Sequence, residues 1–99
     1  MIKNQISKPL KEIFYCLIAD EYEPENTRSE IRYLSTADLE SVKEELRQII
    51  DNRLWSQRFY LGLTGFEFKS EDDFYTYLEE VWQYVFDDGP LPDIEEYWY

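Results

Sequence analysis

Apolar positions recur at three- and four-residue intervals through most of this chain. Leu10, Ile13, Phe14, Leu17 and Ile18 stand at i, i+3, i+4, i+7 and i+8, which predicts an amphipathic helix. Ser7 sits where an N-cap belongs, and Pro9 is close to the start, where a missing N–H does no harm. The polar run DEYEPEN (20–26) ends that helix. TRSE (27–30) then reads as a capping box, Thr27 to Glu30, opening a short helix through Ile31 and Leu34. Ser35 starts the next helix with Asp38 three residues on, and Leu39, Val42, Leu46, Ile49 and Ile50 supply its stripe. Glu40 with Lys43 and Glu44 with Arg47 are expected as i,i+3 pairs on its wet side.

The segment NRLWSQRFYLGLTGFEF (52–68) carries two patterns. Leu54, Trp55, Phe59 and Tyr60 extend a helix to a glycine stop near Gly62. Alternatively, Leu61, Leu63, Phe66 and Phe68 flank Gly65 like a hairpin. A lone two-stranded hairpin is marginal in water, which favours helix plus structured loop. SEDDFYTYLEEVWQYVF (70–86) has a well-marked helical start: Ser70 as N-cap and Glu71, Asp72 and Asp73 in the first turn, where the helix dipole favours negative charge. Phe74, Leu78, Val81, Trp82 and Val85 form the stripe expected to be buried, with Tyr75, Tyr77 and Tyr84 off it. DDGPLP (87–92) stops the helix and begins an extended tail. The expected fold is all-α: a bundle of four to five helices (1–86) with an acidic, aromatic tail (87–99), the alternative being α+β with a small hairpin around 59–68.

A chain of 99 residues makes one domain with one modest core. Apolar residues are 43% and aromatics 18% of it, enough to exclude a wholly disordered chain. The net charge of −12 argues against free nucleic acid or an anionic membrane as partner, since both need clustered Lys and Arg. No apolar run is long enough to span a bilayer, and the first residues lack the apolar core of a secretory signal. The single Cys16 has no internal disulfide partner, so a reducing cytoplasm is the expected compartment.

Histidine is absent, which removes the usual general base and the commonest metal ligand. Gly62, Gly65 and Gly89 form no phosphate loop. Cys16 beside the first stripe reads as a buried structural thiol. The acid pairs Asp72–Asp73, Glu79–Glu80 and Asp87–Asp88 match no calcium loop, and neighbours on a helix point about 100° apart, so solvated charge is their ordinary reading. The expectation is a protein with no catalysis, no cofactor and no metal.

Charge and rings are unevenly placed. Residues 1–66 hold nine bases and eleven acids, whereas 67–99 hold one base, Lys69, and eleven acids. Nine of the eighteen aromatics fall between Phe74 and Tyr99. That imbalance divides the chain into a scaffold portion and an interaction portion. A tail needing only solubility would not carry Tyr97, Trp98 and Tyr99; one needing only burial would not carry so many carboxylates. It packs on its own domain, docks on a partner, or does both. Candidate contact residues are Asp72, Asp73, Tyr75, Glu79, Glu80 and Tyr84 on the last helix. The tail adds Asp87, Asp88, Asp93, Glu95, Glu96, Tyr97 and Trp98. Aromatics of this kind anchor interfaces, and acids around them form a rim for Lys and Arg.

From Thr27 to Phe86 the chain resembles small immunity proteins of bacterial contact-dependent growth inhibition systems. The resembling features are RSEIRYL, TADLESVKEELRQII, RFYLGLTGFEF and SEDDFYTYLEEVWQYVF with Trp82. The resemblance implies a small helical bundle that binds and blocks one toxin without cofactor or catalysis. The tail after Phe86 departs from that pattern, so the resemblance says nothing of its role. Three functions follow as expectations. The first is an immunity protein covering a cationic toxin, an RNase or DNase, because nucleases grip phosphate with basic surfaces. The second is a phage-type DNA mimic on a nucleic-acid-binding protein. The third is an adaptor docking through its aromatic tail.

Overall fold

The computed structural model describes residues 3–98. They form five α-helices, α1 (Lys8–Phe14), α2 (Asn26–Ile31), α3 (Thr36–Asn52), α4 (Gln57–Thr64) and α5 (Glu71–Phe86), with a hairpin of β1 (Leu17–Ile18) and β2 (Glu21–Tyr22) between α1 and α2. A 3-10 turn, Ile94–Glu96, lies in the C-terminal segment. The architecture is mostly helical with one small antiparallel strand pair. The radius of gyration, 12.4 Å, is close to the ~13 Å of a compact chain of this size, so the C-terminal segment folds onto the body.

Serine caps set four helix starts. Ser7, Ser35 and Ser70 each accept a backbone N–H three residues on, from Leu10, Asp38 and Asp73, and Ser56 does the same for Phe59 at the start of α4. The break between α3 and α4 is at Arg53, whose backbone turns left-handed (φ 48°). The helix thus does not continue through Leu54 and Trp55. α4 ends at Gly65 (φ 86°) instead of Gly62, because the left-handed position is the one that needs glycine.

Three expectations need correction. The first helix ends at Phe14, and Leu17–Ile18 become β1, pairing Leu17 with Tyr22 and Ile18 with Glu21. Leu17 is buried either way, so the periodicity could not separate the two readings. The strand pair therefore lies at 17–22, and 57–64 is helix. Thr27 is no N-cap: its buried hydroxyl donates to the Pro24 carbonyl, inside a helix that starts at Asn26 from the Pro24 turn. The i,i+3 pairs on α3 give way to longer reach, since Arg47 pairs with Asp51 and with Glu79 across on α5.

α5 is the centre of the molecule. Phe74, Tyr75, Tyr77, Leu78, Val81, Tyr84 and Val85 are all buried on it, more than the one stripe expected. α3 and α2 pack against it, and Phe68 with the C-terminal segment covers another side, so Tyr75, Tyr77 and Tyr84 are enclosed as well. Trp82 is only half-buried, with its indole N–H donating to the Lys43 carbonyl at 3.1 Å. An aromatic cluster fills the core. Phe14 meets Trp55 edge-on at 5.3 Å, Tyr60 meets Phe74 at 4.9 Å, and Phe68 meets Tyr77 at 5.2 Å. Each such pair contributes about 0.5–1.5 kcal/mol beyond its buried area.

Candidate functional site

The segment after α5 is a strap laid over the core. Gly89 donates to the Gln83 carbonyl at 2.8 Å, and a Cβ at Gly89 would come within 2.9 Å of the Gln83 side chain, so glycine permits the sharp exit from α5. Pro92 and Ile94 are buried, and Ile94 starts the 3-10 turn. The Lys69 N–H donates to the Tyr97 carbonyl at 3.0 Å beside an antiparallel bridge between Phe68 and Trp98. The Tyr97 hydroxyl donates to the Glu80 carboxylate. Trp98 rests edge-on on Phe66 at 5.5 Å and stays 41% exposed, and Leu91 is 49% exposed. The expected extended tail is thus a packed strap with two half-free apolar side chains. Tyr99 lies outside the described residues.

The thirteen candidate residues separate into three groups, with Asp73 apart. Tyr75 and Tyr84 are corrected from contact residues to core. Tyr75 is 4% exposed, its hydroxyl donating to the Trp55 carbonyl at 2.6 Å and accepting the Trp55 N–H at 3.0 Å. Tyr84 is 7% exposed under the Arg28 guanidinium. Asp72 and Glu79 are engaged within the chain: Asp72 pairs with Arg53 at 2.9 Å, and Glu79 takes both ends of Arg47 at 2.8 Å. The hydrogen bonds from Arg47 hold the Glu79 carboxyl below the usual carboxylate range, and Glu79 in turn raises the Arg47 guanidinium. Asp73 is half-buried near the α5 N-terminus, apart from the strap.

The remaining residues gather at the strap. Asp87, Asp93, Glu95 and Glu96 are exposed, and among the described residues none has a basic group within 4.0 Å of its carboxylate. Asp88, in a left-handed conformation (φ 54°), lies 3.7 Å from Arg28 and is otherwise free. Glu80 holds Tyr97, and that hydrogen bond raises the Tyr97 phenol.

Two neighbours of this surface had no place in the sequence reading. Burial raises the Tyr22 phenol; its hydrogen bond to Tyr77 opposes this, while Glu25, Asp93 and Glu80 push it further up. Glu25, from the polar run read only as a helix stop, thus acts on the same phenol as Asp93 and Glu80. Arg28 is the other. Its Nε and Nη2 donate to the Tyr84 and Gly89 carbonyls at 3.0 Å each, fixing the corner that presents Asp87 and Asp88. The acid-rich EYEPE run was a usable signal for Glu25, whereas nothing local marks Arg28.

A second group of acids, Glu12, Glu21, Glu23 and Glu30, lines a shallow depression with Tyr15, Asn26 and Cys16. Cys16 is half-exposed, not buried as expected; desolvation, then Glu30 and Glu23, raise its thiol and disfavour the reactive thiolate. Among the described residues no three carboxylate or thiol groups are placed to hold a metal ion, and no helix is long and apolar enough to cross a membrane. No family model, curated protein or solved structure matches the chain.

Proposed function

We propose that this protein is a stoichiometric inhibitor of the immunity type, which neutralises a cationic toxin, a nuclease, by covering its basic surface. It acts by binding, without cofactor or catalysis, in the cytoplasm, and takes neither nucleic acid nor membrane as partner. The observation that carries this reading is the strap. Asp87, Asp93, Glu95 and Glu96 carry carboxylates without an ion-pair partner among the described residues, near Trp98 and Leu91 in the chain, on a segment held to the body by backbone and side-chain hydrogen bonds, the Lys69 ammonium to the Glu96 carbonyl among them. Carboxylates in place of phosphates, with an indole among them, complement a surface built to grip nucleic acid.

Such placement also favours this reading over its rivals. A DNA mimic needs carboxylates in a long row, but acids along α5 are partly neutralised, Glu71 and Asp72 by Arg53 and Glu79 by Arg47, leaving a compact patch. An aromatic docking tail needs free rings, but the Tyr97 hydroxyl is tied to Glu80 and Trp98 lies on Phe66. The test is affinity capture with the products of neighbouring genes co-expressed. Recovery of one basic protein whose RNase or DNase activity is abolished at a one-to-one ratio supports the proposal; a captured partner without such activity contradicts it.

A further inference from the structure

Phe66 stands between two segments far apart in sequence. Its ring meets Tyr22 of β2 edge-on at 5.4 Å and Trp98 of the strap edge-on at 5.5 Å, and the residue is only 5% exposed. The corner before it is fixed to the hairpin as well. The Ala19 N–H, in the β1–β2 turn, donates to the Thr64 carbonyl at 2.7 Å, and a Cβ at Gly65 would come within 3.2 Å of Ala19 Cβ. Beyond Phe66, the Phe68–Trp98 bridge and the Lys69 N–H to Tyr97 bond join the same stretch to the strap. Tyr22 is tied to α5 as well, with its hydroxyl 3.0 Å from that of Tyr77.

We propose that the hairpin and the strap open and close as one unit through Phe66, while α3 stays closed. The hairpin is two residues per strand, too short to hold itself. Among the described residues the strap has as regular structure one three-residue 3-10 turn and the single Phe68–Trp98 bridge. Both pack on the Phe66 ring, and loss of either aromatic partner uncovers part of that ring. Coupling of this kind is reciprocal: whatever orders the strap orders the hairpin, and the reverse. A ligand seated on the strap is then felt at Glu21, Glu23 and Glu25. This coupling holds whatever the partner is.

Amide hydrogen exchange of the full chain, read by NMR, tests it. The Lys69 amide reports the strap, the Ala19 and Glu23 amides the hairpin, and the Leu46 amide the α3 core. In W98A, Lys69, Ala19 and Glu23 should all exchange about tenfold faster or more, with Leu46 unchanged. A faster Lys69 with Ala19 and Glu23 at wild-type rates overturns the proposal. Should Leu46 also accelerate, Y97F decides, because it keeps the indole and removes one hydrogen bond. A rise at Lys69 shared by Ala19 and Glu23 supports the coupling; a rise at Lys69 alone, or none, overturns it.

Discussion

The guanidinium of Arg28 lies 3.7 Å from the centre of the Tyr84 ring and donates to carbonyls at the end of α5 and in the strap. A cation at a helix C-terminus offsets the dipole, satisfies orphan carbonyls and here also shields a buried ring. R28M is expected to cost about 2–3 kcal/mol in urea unfolding, the range of a charged hydrogen-bonding group plus its stacking. R28K keeps the charge but not the planar fork and should recover less than half of that loss. A wild-type midpoint for R28M would mean the clamp is dispensable.

Two buried tyrosines should respond in opposite ways. The Tyr75 hydroxyl serves both the N–H and the carbonyl of Trp55, so Y75F leaves two buried backbone groups unpaired and should cost about 1–3 kcal/mol. The Tyr60 hydroxyl is buried and has no hydrogen-bond partner among the described residues, so Y60F should leave stability unchanged or raise it by about 1 kcal/mol. Thermal unfolding of the two variants checks the sign of each.

Acid titration should single out Glu79. Its folded pKa is depressed by Arg47, and its unfolded value is near the ordinary ~4.3. Its contribution is therefore complete above the unfolded value and fades as pH falls through the folded one. The stability difference between wild type and E79Q, measured by urea unfolding, should shrink as pH drops below about 4. A difference that is constant with pH contradicts the pairing.

On the alkaline side Tyr97 is one of several raised phenols, with Tyr22, Tyr60, Tyr75 and Tyr77, and the one that belongs to the strap. Its phenol is raised by the bond to Glu80, so the stabilisation is present below the unfolded value of ~10 and is lost as pH climbs towards the higher folded one. Y97F should abolish that part of the alkaline decline in stability. An unchanged alkaline profile in Y97F would show that the phenol does not hold the strap.

Much of this fold is legible in the sequence where one local signal decides. Ser35 and Ser70 cap as their positions require, and the stripe of Val42, Leu46, Ile49 and Ile50 is buried. The hairpin is not legible, because Leu17 satisfies a helical period and a strand equally. The burial of Tyr75, Tyr77 and Tyr84 is hidden for another reason: a stripe assumes packing on one side, whereas α5 is covered from several. For the candidate surface, composition marks the acidic, aromatic stretch of chain but not which of its carboxylates are free. Arg47 and Arg53 reach Glu79, Glu71 and Asp72 from positions many residues away, and only the fold brings them there.

That sorting of carboxylates gives the most direct measurement: association rates with the captured partner for two neutralised sets, read at low and high salt. The strap set is D87N, D93N, E95Q and E96Q; the α5 set is E71Q, D72N and E79Q. Steering by an uncompensated patch predicts that the strap set associates about tenfold or more slowly at low salt, with a flattened salt dependence, while the α5 set stays near wild type. A wild-type rate for the strap set, with the loss falling on the α5 set, would contradict the account.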